Sequence, residues 1–255
     1  MTRDCWMAEL DGHPEDLICL QRWFGEDSIT AIREKEQFFL AESHFLGCNT
    51  ADEVFHRAEA RLELMAAAGR LESASKALDV KVKSTVYVDH AGVFHHHVFL
   101  KGGVSVGAAI RCLHSCSPSL PQRALTVAEC DPHMDMALRL WGENSRSWPR
   151  LYRIMEEIVC SFESGRKRYM SEVLSSNGLI ESTDDILRFR YSACEPDVAG
   201  RDSRHAKGRY EMSKELQRLG NPTMTHREAV MLVGSVLSQA IRRKWEGRTE
   251  SSFGD

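Results

Sequence analysis

The chain has no CxxC pair, no long apolar run, no internal repeat and no excess of positive charge. Each absence closes a class. Eight cysteines stand scattered at 5, 19, 48, 112, 116, 130, 160 and 194. In a chain of 255 residues that scatter reads as reduced, mostly buried thiols rather than a disulfide framework. Nothing approaches the roughly 18 consecutive apolar residues a membrane helix needs, so no membrane partner is expected. The opening Met1-Thr-Arg-Asp-Cys-Trp is charged, with no apolar core and small-residue cleavage site after it, which predicts a cytoplasmic protein without a secretory signal. A formal net charge of −4 excludes a broadly basic coat for nucleic acid. It leaves room for a local patch, because phosphate affinity depends on where Arg and Lys sit.

What remains is an ordinary globular composition, 42% hydrophobic and 27% charged, long enough to bury one large core or two small ones. In the N-terminal half, Pro14 to Leu20 is a short apolar stretch. Ser28-Ile-Thr-Ala-Ile-Arg and Gln37-Phe-Phe-Leu-Ala-Glu then read as two strands joined by the charged turn Arg33-Glu-Lys-Glu. Thr50-Ala-Asp-Glu53 is a capping box, and Val54, Ala58, Leu62 and Met65 share one helical face that ends at Gly69. Residues 82–88 and 93–100 predict a hairpin, with 104–110 as a third strand.

The C-terminal half reads as helical. Asp131-Pro132 is a cap followed by proline at the first helical position, opening a helix that stops at Gly142. Trp148, Leu151, Ile154, Met155, Ile158, Val159 and Phe162 keep three-four spacing throughout. Glu156 and Glu157 are assigned to the solvated side of that helix, because neighbours point about 100° apart. Further helices are expected at 166–176 and 183–189. After Asn221-Pro222, the box Thr225-x-x-Glu228 starts a last helix carrying Ala229, Leu232, Val233, Val236, Leu237, Ala240 and Ile241. The predicted class is α+β: an N-terminal α+β domain over 1–128, a helical-bundle domain over 129–246, and a flexible polar tail over 247–255.

Two constellations carry chemistry. His95-His-His97, with His90 and Cys112-x-His114-x-Cys116, suggests a metal. On a strand, however, His95 and His97 share one face and His96 the other, whereas zinc needs three or four convergent ligands. No metal and no cofactor are therefore expected. The second is Gly200-Arg-Asp-Ser-Arg-His-Ala-Lys-Gly208. A Ser203–His205–Asp202 triad is discounted, since sequence neighbours seldom reach that mutual geometry and no strand–turn–helix elbow surrounds them. A phosphate grip suits the residues better: Arg201, Arg204, Lys207 and Arg209 around His205. An imidazole acid–base beside a guanidinium is sound chemistry for metal-free attack of a ribose 2′-hydroxyl on the adjacent phosphate. The structural alternative is that these side chains cap helices or pair with Asp202 and Glu211. The basic turn Arg166-Lys167-Arg168 before Tyr169 opposes the helix dipole and suggests an anion-facing edge.

The run of helices, the Arg201…His205 turn and the Thr-x-x-Glu-Ala start of the last helix together resemble the HEPN superfamily, over the C-terminal half only. The Arg–His spacing is tighter here than in that family, and Asp202 alone matches the polar residue that follows the family's Arg. The layout is also similar to uncharacterised bacterial proteins with a Leu-Tyr-x-Ile-x-Glu helix (here Leu151 to Glu156) and a later Arg-His-Ala. The HEPN resemblance implies helical modules that bind or cleave RNA without metal, acting as dimers, in a bacterial stress or defence setting. Carried over, His205 is the acid–base group and Arg201 or Arg204 the phosphate stabiliser. Arg166, Lys167, Arg168, Lys207 and Arg209 hold the RNA backbone. The rival expectation is a non-enzymatic interaction protein, and a metal protein built on 90–116 comes third.

Overall fold

The structure, a computed structural model, describes residues 5–25, 28–32, 37–40, 45–72, 79–88, 94–97, 118–143, 145–163, 169–200 and 214–251. It is α+β, as the sequence predicts. It divides into two compact units, Met1–Gln122 and Arg123–Asp255.

The first unit is an antiparallel sheet with two helices. Its strands are β1 (Cys5–Gly12), β2 (Ile29–Ile32), β3 (Gln37–Leu40), β4 (Val80–Val88) and β5 (Phe94–His97), in the order β2-β3-β1-β4-β5. The expected β2–β3 and β4–β5 hairpins form, with Thr30 opposite Phe39 and Val86 opposite His96. The central strand β1 is not read from the sequence, and its charge explains why. Glu9 interrupts the apolar pattern, yet only 2% of it is exposed. Burying a carboxylate requires compensation. Lys83 Nζ lies at 2.7 Å, Ser84 Oγ donates at 2.8 Å and Gln37 Nε2 at 3.4 Å, from the strands on either side.

Residues 14–24, read as an apolar stretch, are helix α1 (Pro14–Phe24), with Pro14 at its start and Leu17, Leu20 and Phe24 buried. Helix α2 (Ala51–Glu72) has half of the predicted box: Thr50 Oγ1 accepts from Glu53 N at 3.2 Å, while Glu53 Oε2 accepts from Asn49 N, one residue before the cap, at 2.8 Å. Gly69 does not end it. The helix runs to Glu72, and Gly69 is the bare spot on which the Trp23 ring of α1 rests. The suggested strand at 104–110 lies outside the described residues.

The second unit is helical. Helix α3 (Leu120–Cys130), whose first turn still belongs to the first unit, is unanticipated, although Ser119-Leu-Pro-Gln122 is itself a capping box: Ser119 Oγ accepts from Gln122 N, and Gln122 Oε1 accepts from Ser119 N at 2.7 Å. Helices α4 (Pro132–Gly142) and α5 (Trp148–Phe162) keep their predicted limits, and the α5 stripe from Trp148 to Val159 is buried. They are followed by α6 (Met170–Ser176), α7 (Thr183–Cys194), the short α8 (Pro196–Ala199) and α9 (Lys214–Gln217), and α10 (His226–Ser251). Helix α7 continues past Phe189 to Cys194, stacking Phe189 on Tyr152 of α5 at 5.9 Å. Thr225 and Glu228 cap α10 reciprocally at 3.2 and 2.7 Å. That helix continues beyond Trp245, where the sequence suggests a loose tail. Arg248 reaches back to the Thr126 carbonyl at 2.8 Å and so fastens the end of α10 to α3. No helix among the described residues is long and apolar enough to cross a membrane.

Candidate functional site: an oriented imidazole on the helical unit

The residues singled out from the sequence, Arg166, Lys167, Arg168, Arg201, Arg204, His205, Lys207 and Arg209, all lie outside the described residues. The same holds for His90, Cys112, His114 and Cys116. His95, His96 and His97 are described and alternate as the strand period requires. His95 pairs with Tyr87 and His97 with Thr85 on one face, and His96 pairs with Val86 on the other. No group of three metal-ligating side chains occurs among the described residues.

Among the described residues, a polar cluster lies where the start of α4 meets α5 and α10. Asp131 is its hub. Its Oδ1 caps α4, accepting from His133 N at 3.0 Å and Met134 N at 3.2 Å. Its Oδ2 accepts from Ser161 Oγ at 2.6 Å and meets Lys244 Nζ at 2.9 Å. Burial pushes the Asp131 carboxyl up. The hydrogen bonds from Ser161, Lys244 and Met134, with the Lys244 charge, outweigh that and hold it below the usual carboxylate value. Lys244 also donates to the Ser161 carbonyl at 2.6 Å and lies over the Phe162 ring at 4.6 Å. One ammonium thus ties α10 to the end of α5.

Beside this hub stands His133. Its Nδ1 lies 2.8 Å from Glu157 Oε2, while Arg153 reaches Glu157 Oε1 at 2.5 Å. Glu157 is 6% exposed at the side chain, against 48% for His133 and 60% for Arg153. This overturns the assignment of Glu157 to the solvated side of α5. Three residues past Ile154 and one before Ile158, it falls at the edge of the buried stripe, facing α4. A carboxylate oxygen at this distance accepts from an Nδ1–H, and in that tautomer Nε2 is the ring nitrogen without a proton. A buried acceptor orienting a half-exposed imidazole is the base-plus-orienter arrangement of acid–base catalysts.

Cys160, the exposed thiol one turn further along α5, is not an activated nucleophile. Burial pushes its thiol up, and the charges of Glu157 and Glu163 push it further. A nucleophilic cysteine needs the opposite environment. His133 and Glu157 lie 24 residues apart on separate helices, so no local motif announces them. The available signal is a carboxylate at the margin of the α5 stripe together with a histidine just inside a capped helix start.

Comparisons of the chain with protein-family models, curated proteins and solved structures find no match.

Proposed function

We propose that the chain binds RNA and cleaves it without a metal, as a HEPN-like dimer in the bacterial cytoplasm. The observation that carries the proposal is the His133–Glu157 pair. Attack of a 2′-hydroxyl on its phosphate needs a base for the hydroxyl and an acid for the leaving 5′-oxygen. His133, held by Glu157, supplies one imidazole. His205, expected from the Arg201…His205 resemblance, supplies the other, with Arg201 and Arg204 stabilising the phosphorane and the basic residues at 166–168, 207 and 209 gripping the backbone. No step calls for a metal ion.

The test is cleavage of end-labelled RNA in excess EDTA by the parent protein, His133→Ala, Glu157→Gln and His205→Ala, purified identically. The reading expects products ending in 2′,3′-cyclic phosphate and a loss of about 100-fold or more in rate in each histidine variant, the usual scale for one acid–base group. Loss in His205→Ala alone returns His133 to a structural role. Equal background in all four removes the nuclease reading. The chain then stands as a non-enzymatic interaction protein, a reading favoured by the Asp131–Ser161–Lys244 ties, which already have a structural use.

A further inference from the structure

A hollow of about 670 Å³ opens in the first unit, between the ends of β1, β4 and β5 and the segment leading into α2. Trp6, Tyr87 and His97 form its aromatic wall. Cross-strand partners point to the same side of a sheet, so Trp6 opposite Tyr87, and Tyr87 opposite His95, bring these rings onto one face. Trp6 and Tyr87 stand 5.1 Å apart at 57°, and Trp6 and His97 5.5 Å apart at 46°. Across from them are Leu46, 69% exposed, and the polar Asn49 and Thr50. Aromatic pairs stabilise a sheet without any hollow beside them. Here the wall remains partly open, and the opposite rim leaves a large leucine in water.

We propose that this hollow binds a nucleobase or nucleoside. Its volume falls in the ordinary small-ligand range. Two rings inclined at 57° let a planar heterocycle stack on one and meet the other edge-on, and base–aromatic stacking serves any base because every base has a π-face. The polar groups of the rim are partly engaged, since the Asn49 amide donates to the Gly47 carbonyl at 3.3 Å and Thr50 Oγ1 accepts from Glu53 N at 3.2 Å; Asn49 Oδ1 and the Thr50 hydroxyl proton are what they offer a ligand. Charge selects against phosphate. None of the described residues lining the hollow is Lys or Arg, Asp52 and Glu53 occupy the adjoining first turn of α2, and residues 1–122 hold 12 Lys and Arg against 17 Asp and Glu, a net of −5. These charges favour the uncharged nucleoside over the nucleotide.

The assignment does not depend on the ribonuclease reading, and its test uses no cleavage. Adenosine, guanosine, cytidine and uridine are titrated into the full chain and followed by saturation-transfer NMR on the base protons, with adenosine 5′-monophosphate in parallel. The expected result is transfer to the bases of one or more nucleosides, weaker transfer to the monophosphate, and about tenfold weaker binding in Trp6→Ala, the scale of one stacking contact. His97→Ala, on an exposed edge strand outside the core, weakens binding likewise and covers the case in which Trp6→Ala fails to fold. Absence of transfer from all four nucleosides at millimolar concentration, or binding unaltered in His97→Ala, overturns the assignment.

Discussion

Asp131 contributes to the pH response of the helical unit. Asp131 carries two separable duties, capping α4 and pairing with Lys244. Its carboxyl titrates below the usual value in the folded chain, so its contribution is present above the unfolded value of about 3.9 and is lost as pH falls through the lower folded one. Asparagine caps as well as aspartate does but carries no charge. Asp131→Asn is therefore expected to keep α4 intact while removing part of the acid sensitivity below about pH 4, seen as a flatter stability-against-pH curve. Asp131→Ala loses the cap as well, about 1 kcal/mol more. A curve of unchanged slope in Asp131→Asn would show that the Lys244 pairing contributes nothing. The buried Glu9 makes the complementary case in the sheet. Lys83→Met leaves its charge without a cation and is expected to cost about 3 kcal/mol, the low end for breaking a buried pair, because Lys83 keeps 28% exposure. Adding Glu9→Gln should recover most of that loss. Hydrogen exchange at the β1 and β4 amides reads both variants.

At the scale of elements, a glycine in a helix has to be judged by what it faces. In α2 the gain of about 1 kcal/mol usual for Gly→Ala in a helix competes with overlap between the new methyl and the Trp23 ring. Overpacking costs about 1–3 kcal/mol, so Gly69→Ala is expected to destabilise the first unit, measured as a lower urea midpoint. A rise in midpoint would mean that α1 slides away without cost. Gly69 also shows what pattern reading misses. A glycine at the end of an apolar stripe looks like a stop, and only the neighbouring helix makes it a contact. The elements legible in the sequence are those with local causes: the boxes at Thr50 and Thr225, the Asp131-Pro132 start, the α5 stripe and both hairpins. Strand β1 is illegible because its buried Glu9 depends on Gln37, Lys83 and Ser84, partners distant in sequence. The His133–Glu157 pair is hidden for the same reason. Helix α3 is a different failure, since Ser119-Leu-Pro-Gln122 spells out its box. The end of α10 is another long-range case: Arg248 bonds 122 residues back. Ending the chain after Trp245 is therefore expected to speed hydrogen exchange in the last turns of α3, while unchanged exchange there would make residues 246–251 dispensable.

For the whole molecule, charge is divided unevenly, and the division decides where RNA would bind. Residues 123–255 hold 21 Lys and Arg against 20 Asp and Glu, a net of +1, while residues 1–122 carry −5. On the RNA-binding reading, phosphate attraction is expected from the helical unit, and there from clusters rather than from net charge, because counterions are released only where cations meet the backbone. Arg166-Lys-Arg168, Arg201 to Arg209 and Arg242-Arg-Lys244 are the basic runs of that unit, and Lys244 of the last is already paired with Asp131. On the RNA-binding reading, log K falls linearly with log salt at about 0.7 per phosphate neutralised on a single strand. Lys167→Ala and Lys207→Ala should each lower that slope by about 0.7 and weaken binding to all sequences alike. Lys81→Ala, on the acidic unit and already paired with Asp11, should leave it unchanged. A slope near zero in the parent protein would remove backbone recognition, and with it the reason to expect a nuclease. A slope that responds to Lys81 and not to Lys167 would move the RNA to the sheet, where the aromatic wall, rather than the basic runs, would have to hold it.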